Sequence, residues 1–326
     1  MSDVPSRWSA QQEAVLRKIA ELEVCSSDTS MAAVRARYEA EAQWWNEGGP
    51  ALPVDERRVP TRWGAVRATV ARGGDPGAPV IVWIHGGGYI VGSPETHERL
   101  TRTLAHLAQA TVVSVDYTLA PEARFPQPVE ECVAVVRHIR AHADEWGVDG
   151  GDITLAGDSA GATLAVATWL WLRDEVGDAS GIRCLLLAYG GYGLRDSVSR
   201  RTLGGWWDGM TPDAMASWQA HYIDADDLGS PYYDVLGANL TGIPPCHVLA
   251  TSLDPLLDDS RALAQLLPGE GHELVVVDGV IHTFLQHTRM LDQAEQSLRA
   301  MAEFFARCGG VTVSVSRHET AKLANS

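Results

Sequence analysis

Residues 153–163 read ITLAGDSAGAT and join a short apolar run to a Gly-x-Ser-x-Gly motif. The first four residues predict a buried β-strand, and the Ala-rich sequence from Ala160 onward predicts a helix. Ser159 therefore falls on the sharp strand-to-helix turn that is called a nucleophile elbow. Gly157 and Gly161 allow a tight turn while the serine hydroxyl projects above the sheet. A serine that merely caps a helix fits the motif alone equally well, but the flanking strand and helix favour the elbow.

A second glycine-rich stretch, HGGGY at residues 85–89, follows another apolar run. Its glycines leave backbone N–H groups unscreened, so the amides of Gly87 and Gly88, together with that of Ala160, can donate to a developing oxyanion. A phosphate-binding loop is disfavoured, because no Lys-Ser/Thr follows and no G-x-G-x-x-G pattern is present. We expect His85 to be structural and to tie this loop down through hydrogen bonds.

An acid and a base follow the serine in the order that an elbow enzyme requires. Asp254 and His282 each come shortly after a later apolar run, so both fall in loops that follow strands. A neutral His282 imidazole can take the proton of Ser159, while the Asp254 carboxylate fixes the tautomer and stabilises the imidazolium. Each residue alone has a commoner structural explanation, but the combination in this order predicts a Ser-His-Asp triad.

Other acids and histidines lie near these positions. Asp258 and Asp259 are expected to act as charges at a helix N-terminus, or to position the loop that carries His282. His272 precedes the last predicted strand and His287 falls in a predicted helix, so His282 is the preferred base.

The chain beyond residue 80 alternates apolar, β-branched runs with amphipathic segments, which predicts an α/β fold with a mostly parallel central sheet. The predicted strands are 65–71 at an edge, 80–85, 111–116, 153–156, 182–187, 247–250 and 273–277. The predicted helices are 95–109, 129–145, 160–174, 259–267 and 286–307.

Three segments stand outside this alternation. Residues 1–50 are polar and helix-prone and are expected to form a helical cap, and residues 191–222 are expected to form a second cap insertion. The catalytic domain is then 51–308. The tail 309–326 follows a Gly-Gly break and is expected to be disordered.

Composition excludes several classes of function. Lys and Arg number 26 against 42 Asp and Glu, a net charge of −16, which disfavours nucleic acids and anionic membranes as partners. The five cysteines are widely spaced and show no zinc-like pattern, so neither a disulfide framework nor a metal site is predicted. No secretory h-region or long apolar stretch is present, and we expect a cytoplasmic protein.

Several further motifs accompany HGGG and GDSAG in a recognisable order. They are DYTLAPE at residues 116–122, Phe125-Pro126, Ser230-Pro231, GIPP at 242–245 and DPLLDD at 254–259. In this respect the chain resembles the hormone-sensitive-lipase-like branch of the α/β-hydrolase carboxylesterases, the group that includes acetyl esterases. The resemblance covers about residues 50–307. It implies an oxyanion hole at Gly87, Gly88 and Ala160, a cap insertion after the sixth strand, and a homodimer formed through the last strand and helix.

The sequence departs from the family pattern at three positions. Ala162 and Thr283 stand where relatives usually have glycine, and Asp259 stands where they have glutamate. Thr283 puts the shape of the loop around His282 in question, because threonine adopts a positive φ less readily than glycine.

The expected activity is hydrolysis of short-chain acyl esters, acetyl to hexanoyl, of small-molecule alcohols without a cofactor. Tyr89, Trp206 and Trp207 are candidate substrate-binding residues, although the tryptophans can equally well pack cap against core. The same triad also suits an amide or carbamate hydrolase or an N-deacetylase. A non-catalytic receptor on this fold is disfavoured, because His282 is present.

Overall fold

A computed structural model describes residues 8–23, 27–205 and 207–310 of the chain. The predicted disordered tail, residues 309–326, lies outside the described residues except for its first two glycines. Among the described residues, no helix has both the length and the apolar character needed to span a membrane.

The described residues build an eight-stranded sheet with helices on both faces, which confirms the predicted α/β architecture. The strands are β1 Val54–Thr61, β2 Gly64–Arg72, β3 Ala78–Ile84, β4 Thr111–Asp116, β5 Val148–Asp158, β6 Ile182–Ala188, β7 Cys246–Thr251 and β8 Glu273–Val277. Their order across the sheet is β1-β2-β4-β3-β5-β6-β7-β8. The pairs β1–β2 and β2–β4 are antiparallel, and the remaining pairs are parallel.

Strand β1 is absent from the sequence-based prediction, so the segment 65–71 is not the edge strand that was expected. The sequence of β1 is VDERRVPT, which carries charges and a proline and has one fully buried side chain, Val59. Charge and proline are typical of an edge strand, and they remove the apolar signal by which the other strands are recognised.

The central strands contain continuous buried apolar runs because both faces of the sheet are covered. In β3, Val80 and Val82 contribute to one hydrophobic core, while Ile81 and Trp83 contribute to the core on the opposite face. This alternation is the two-residue period of a β-strand, and it fixes the register of the sheet between its helical layers.

Ten α-helices are described. They are α1 Ala10–Leu22, α2 Met31–Asn46, α3 Glu98–Ala108, α4 Gln127–Ala141, α5 Ala143–Trp146, α6 Ala160–Asp174, α7 Val198–Thr202, α8 Pro212–Tyr222, α9 Leu257–Leu266 and α10 Asp292–Cys308. Helices α4 and α6 pack on one face of the sheet, and α3 and α10 on the other. The last helix starts at Asp292 rather than at residue 286, because residues 284–287 form a separate 3₁₀ turn.

Both segments that were predicted as caps carry helices. The N-terminal segment supplies α1 and α2, and the insertion between β6 and β7 supplies α7 and α8. Arg35 of α2 donates to the backbone oxygen of Ile90 at 2.9 Å, and the Phe125 amide donates to the oxygen of Tyr222 in α8 at 2.8 Å. Both segments are thereby tied to the loops at the carboxyl ends of the parallel strands.

Candidate active site

Ser159 lies between the end of β5 and the start of α6 in a strained backbone conformation, with φ 51° and ψ −122°. Its amide donates to the Ala188 oxygen of the neighbouring strand at 2.8 Å, which holds the turn in place. The turn requires glycine at 161, because a Cβ there would lie 1.9 Å from the Ile84 oxygen. The sharp turn leaves the Ser159 hydroxyl at the carboxyl edge of the sheet, as the elbow predicts.

A continuous hydrogen-bonded chain joins the serine to the predicted base and acid. His282 Nε2 lies 2.8 Å from Ser159 Oγ, and His282 Nδ1 lies 2.8 Å from Asp254 Oδ2. The other carboxylate oxygen, Asp254 Oδ1, accepts the Leu256 amide at 2.8 Å. With Nδ1 donating to the carboxylate, Nε2 is the imidazole nitrogen that is free to accept the serine proton.

Burial and charge act on His282 in opposite directions. All three side chains are buried, and burial works to lower the pKa of His282. The negative charge and hydrogen bond of Asp254 outweigh this effect, so the pKa of His282 is raised above its usual value. The carboxylate therefore stabilises the imidazolium that forms when His282 takes a proton.

The predicted oxyanion-hole residues surround Ser159. Gly87 has a φ of 116°, and a Cβ there would lie 2.2 Å from the Val91 oxygen, so this turn excludes other residues. Gly87 and Gly88 line the same cavity as Ser159, and Ala160 follows the serine at the helix start. Within the described ranges, no acceptor is hydrogen-bonded to the amides of these three residues.

A buried polar group that the sequence analysis missed supports the glycine loop. Asp158 Oδ1 accepts the Gly86 amide at 2.9 Å and lies 3.2 Å from His97 Nε2. Burial works to raise the pKa of Asp158, but the His97 charge and the Gly86 hydrogen bond outweigh it and lower that pKa. Asp158 stands at a variable position of the Gly-x-Ser-x-Gly motif, and His97 belongs to no motif. The sequence therefore does not indicate a role for either residue.

His85 has the structural role that the sequence predicts. Its Nδ1 donates to the Gly86 oxygen at 2.8 Å, and its ring stacks on Tyr117 with centroids 4.3 Å apart. The two competing histidines lie away from the serine. His272 Nδ1 accepts the Cys246 amide, and the buried His287 packs on the ring of Trp45.

Asp258 and Asp259 lie in the first turn of α9, as expected, but they do not position the loop of His282. Asp259 Oδ1 instead accepts three consecutive amides, those of residues 192–194, at 2.9–3.2 Å. Asp258 Oδ2 accepts the Ser199 amide at 2.9 Å. Both carboxylates therefore hold the cap insertion, because residues 192–199 pass directly over the start of α9.

Thr283 takes the left-handed conformation that its position requires, with φ 63° and ψ 7°. Its hydroxyl donates to the His282 oxygen at 2.6 Å. The loop therefore keeps its shape without glycine, at the cost of strain in a β-branched residue.

Ser159 lies between two cavities. The larger cavity, about 770 Å³, is lined by residues that include Tyr38, Asp208 and His282. The smaller cavity, about 560 Å³, is lined by residues that include Ala160 and Arg200. An extended substrate bound at Ser159 thus has separate space for its two halves.

The three predicted substrate-binding residues differ in where they lie relative to the two cavities. Tyr89 lines the smaller cavity, where its ring stacks on Tyr222 at 3.8 Å. Trp206 lies outside the described residues. Trp207 is not among the described residues that line these two cavities, and its ring contacts that of Trp8 with centroids 6.0 Å apart, so its role in substrate binding stays a prediction. Trp218 of α8, which the sequence analysis did not single out, lines both cavities.

The described part of the chain contains no group of three His, Cys, Asp or Glu side chains arranged to hold a metal ion. Its four described cysteines are free thiols.

Comparison with known proteins relates this geometry to a family. A family model described as an alpha/beta hydrolase fold matches residues 81–286. An esterase of Pyrobaculum calidifontis is 33% identical, with 92% of this chain and 99% of that chain covered and a TM-score of 0.85. An α/β hydrolase from the Lake Arreo metagenome is 27% identical, covering 93% and 99%, with a TM-score of 0.85. A thermostable carboxylesterase from a metagenomic library is 27% identical, covering 88% and 100%, with a TM-score of 0.81. The chain therefore belongs to the α/β-hydrolase family, among its hormone-sensitive-lipase-like carboxylesterases.

Proposed function

We propose that the protein is a serine carboxylesterase that hydrolyses short-chain acyl esters, acetyl to hexanoyl, through Ser159, His282 and Asp254. The observation that carries this proposal is the buried hydrogen-bonded chain with 2.8 Å on each side of His282. Nucleophile, base and orienting carboxylate are in contact before any substrate binds, as nucleophilic catalysis requires.

In the first half of the reaction, Ser159 Oγ attacks the ester carbonyl carbon while His282 Nε2 takes the serine proton. Negative charge develops on the carbonyl oxygen. The amides of Gly87, Gly88 and Ala160 donate to that oxygen, and one such donor contributes about 3 kcal/mol to transition-state stabilisation. The imidazolium then protonates the leaving alcohol, and the acyl group stays on the serine.

In the second half, a water molecule takes the place of the alcohol and loses a proton to His282 as it attacks the acyl-enzyme. The tetrahedral intermediate collapses, the proton returns to Ser159, and the carboxylic acid is released. Asp254 stays ionised throughout and stabilises the imidazolium in both halves.

The acyl range comes from the family resemblance, and the walls of the smaller cavity are compatible with it. Met215, Trp218 and Leu256 supply apolar surface within that cavity. The hydrophobic gain grows by about 0.8 kcal/mol for each buried methylene, so rates should rise as the acyl chain lengthens from acetyl toward hexanoyl.

The test is hydrolysis of p-nitrophenyl esters from acetyl to palmitoyl. We expect a maximum at or below hexanoyl, and a fall of about 10⁴-fold or more in kcat for Ser159→Ala and His282→Ala. His106→Ala, an exposed histidine of α3, is the matched control and should keep full activity. Ester turnover that survives Ser159→Ala would refute the proposal, and absence of any ester turnover would direct the search to amides.

A further inference from the structure

The proposed reaction assigns each half of the substrate to one of the two cavities. His282 must protonate the leaving oxygen, and it lines the larger cavity but not the smaller one. The oxyanion-hole amides do not separate the two sides, since Gly87 lines the larger cavity, Ala160 the smaller one and Gly88 both, so the position of His282 decides. The leaving alcohol therefore occupies the larger cavity, and the acyl chain extends into the smaller one.

The smaller cavity has an unusual concentration of positive charge for a chain whose net charge is −16. Its walls are largely apolar, but among the described residues three guanidinium groups and a single carboxylate also line it. These charged residues are Arg195, Asp196, Arg200 and Arg201.

The side chain of Arg200 is fixed by an ion pair with a buried carboxylate. Its Nε and Nη2 lie 3.0 and 2.9 Å from Oδ2 of the buried Asp259, which also binds the backbone of residues 192–194. The only acceptor of the remaining nitrogen, Nη1, within the described chain is Met215 Sδ, a weak acceptor at 4.0 Å. The guanidinium of Arg200 is therefore fixed, and its Nη1 can still donate a hydrogen bond to a group that enters the cavity.

Arg195 differs from its neighbours because it has no ion-pair partner among the residues that the structure describes. Arg201 pairs with Asp196 at 2.7 Å, and both side chains are largely exposed. Tyr233 also lines the cavity, and burial raises its pKa to about 12. Arg195, an exposed residue, thus lines the acyl cavity without an ion-pair partner in the described chain.

The larger cavity has the opposite character. Of the residues that the structure describes, three with carboxylates, Glu23, Glu41 and Asp208, and one with a guanidinium, Arg37, line it. An anionic group is therefore disfavoured on the alcohol side of Ser159 and favoured on the acyl side. This asymmetry orients a charged ester in a single direction.

We propose, building on the esterase function above, that the preferred substrates are half-esters of short dicarboxylic acids, whose free carboxylate binds Arg195 and Arg200. Guanidinium groups bind carboxylates through paired, charge-assisted hydrogen bonds, and the apolar walls accept the methylene chain between the two carbonyl carbons. In the reaction, water adds across the acyl carbon–oxygen bond, and the products are the alcohol, the dicarboxylate and one proton.

The test compares chain-matched ethyl esters by pH-stat. The pairs are monoethyl succinate with ethyl butanoate, monoethyl glutarate with ethyl pentanoate, and monoethyl adipate with ethyl hexanoate. We expect the half-ester to have the higher kcat/KM in at least one pair, by about tenfold. Arg195→Gln should bring that ratio down at least threefold, and Arg195→Lys, which keeps the charge, should retain most of it.

Arg299→Gln is the control, because it removes the same charge from an exposed position on α10 and should leave the ratio unchanged. A ratio at or below one in every pair, or an equal effect of Arg299→Gln and Arg195→Gln, would overturn the inference. Turnover of ethyl pentanoate that depends on Ser159 would still support the esterase function in that case. If ethyl pentanoate is not hydrolysed, the proposed function itself fails and the inference with it.

Discussion

Thr283, the residue after His282, has a backbone conformation that lowers the stability of the folded protein. Its left-handed backbone is unfavourable for a residue with a branched Cβ, by roughly 1–2 kcal/mol. Glycine relieves this strain but gains about 0.5–1 kcal/mol of conformational freedom in the unfolded chain. Because glycine also loses the hydroxyl bond to the His282 oxygen, we expect the free energy of unfolding of Thr283→Gly to exceed that of Thr283→Ala by about 0.5 kcal/mol, as measured by urea denaturation.

Thr283→Ala is the matched control for this prediction. It removes the hydroxyl that donates to the His282 oxygen but keeps the Cβ and its strain, so its free energy of unfolding should fall below that of the parent. An alanine variant more stable than the glycine variant would contradict the explanation by backbone strain.

The pair His282–Asp254 predicts a pH dependence. The enzyme needs a neutral imidazole, and Asp254 raises the pKa of His282, so kcat/KM should fall on acidification with a midpoint above 6.5. Asp254→Asn removes the charge that stabilises the imidazolium, so the midpoint should move to lower pH while kcat at the plateau falls about 10⁴-fold. A pH–rate profile with an unmoved acid limb would contradict this account.

The sequence brings out the three proposed catalytic residues because their signals are local. Ser159, Asp254 and His282 each follow an apolar run, and the structure brings the three into one hydrogen-bonded chain. The pair Asp158–His97 joins residues 61 positions apart without a motif, so no local pattern identifies it. Trp218 was not among the predicted substrate-binding residues, because composition does not show which tryptophan of the insertion lines a cavity.

At the scale of elements, helix α1 positions the loop that carries His282. Gln12 is fully buried, and its Oε1 accepts the Ile281 amide at 3.3 Å, while the Ser9 amide donates to the Gly279 oxygen at 3.1 Å. A helix more than 250 residues away in sequence therefore binds the backbone next to the base.

Gln12→Ala removes the acceptor for Ile281 and loosens that loop. We expect kcat to fall about tenfold with KM changed less than twofold, because misplacing the base affects the chemical step more than binding. Gln11→Ala is the control, since the Gln11 side chain accepts the Asp292 amide instead. A Gln12→Ala variant that changes KM alone would contradict the positioning role.

Elements were predicted well where one physical signal dominated. The central strands are buried on both faces and appear as apolar runs, and helix α6 matches its predicted bounds, Ala160–Asp174. Strand β1 has only one fully buried side chain, and the start of α10 depends on a 3₁₀ turn, so neither has a distinct apolar period. Edge and boundary features depend on tertiary contacts that sequence patterns do not contain.

At the scale of the whole molecule, the sheet ends at β8, whose only strand neighbour in the described chain is β7. Leu274 and Val276 lie on this strand and are 38% and 40% exposed. An unpaired edge with exposed apolar side chains suits a symmetric contact, in line with the homodimer that the family resemblance implies.

We expect light scattering to show a dimer. Val276→Lys should shift the equilibrium from dimer toward monomer, because it would bury an unpaired charge at the contact. Val198→Lys, at an exposed apolar position on α7, should leave the dimer intact. A protein that is monomeric at every concentration would contradict this prediction.

The most direct test of the account is covalent labelling of the nucleophile. A p-nitrophenyl alkylphosphonate mimics the tetrahedral intermediate and transfers its phosphonyl group to an activated serine. We predict one phosphonyl group per chain by intact mass, located on Ser159 by peptide mapping, with loss of esterase activity in the same proportion and no labelling of Ser159→Ala. Inactivation with the label on another residue, or full activity after Ser159 is modified, would contradict the central claim.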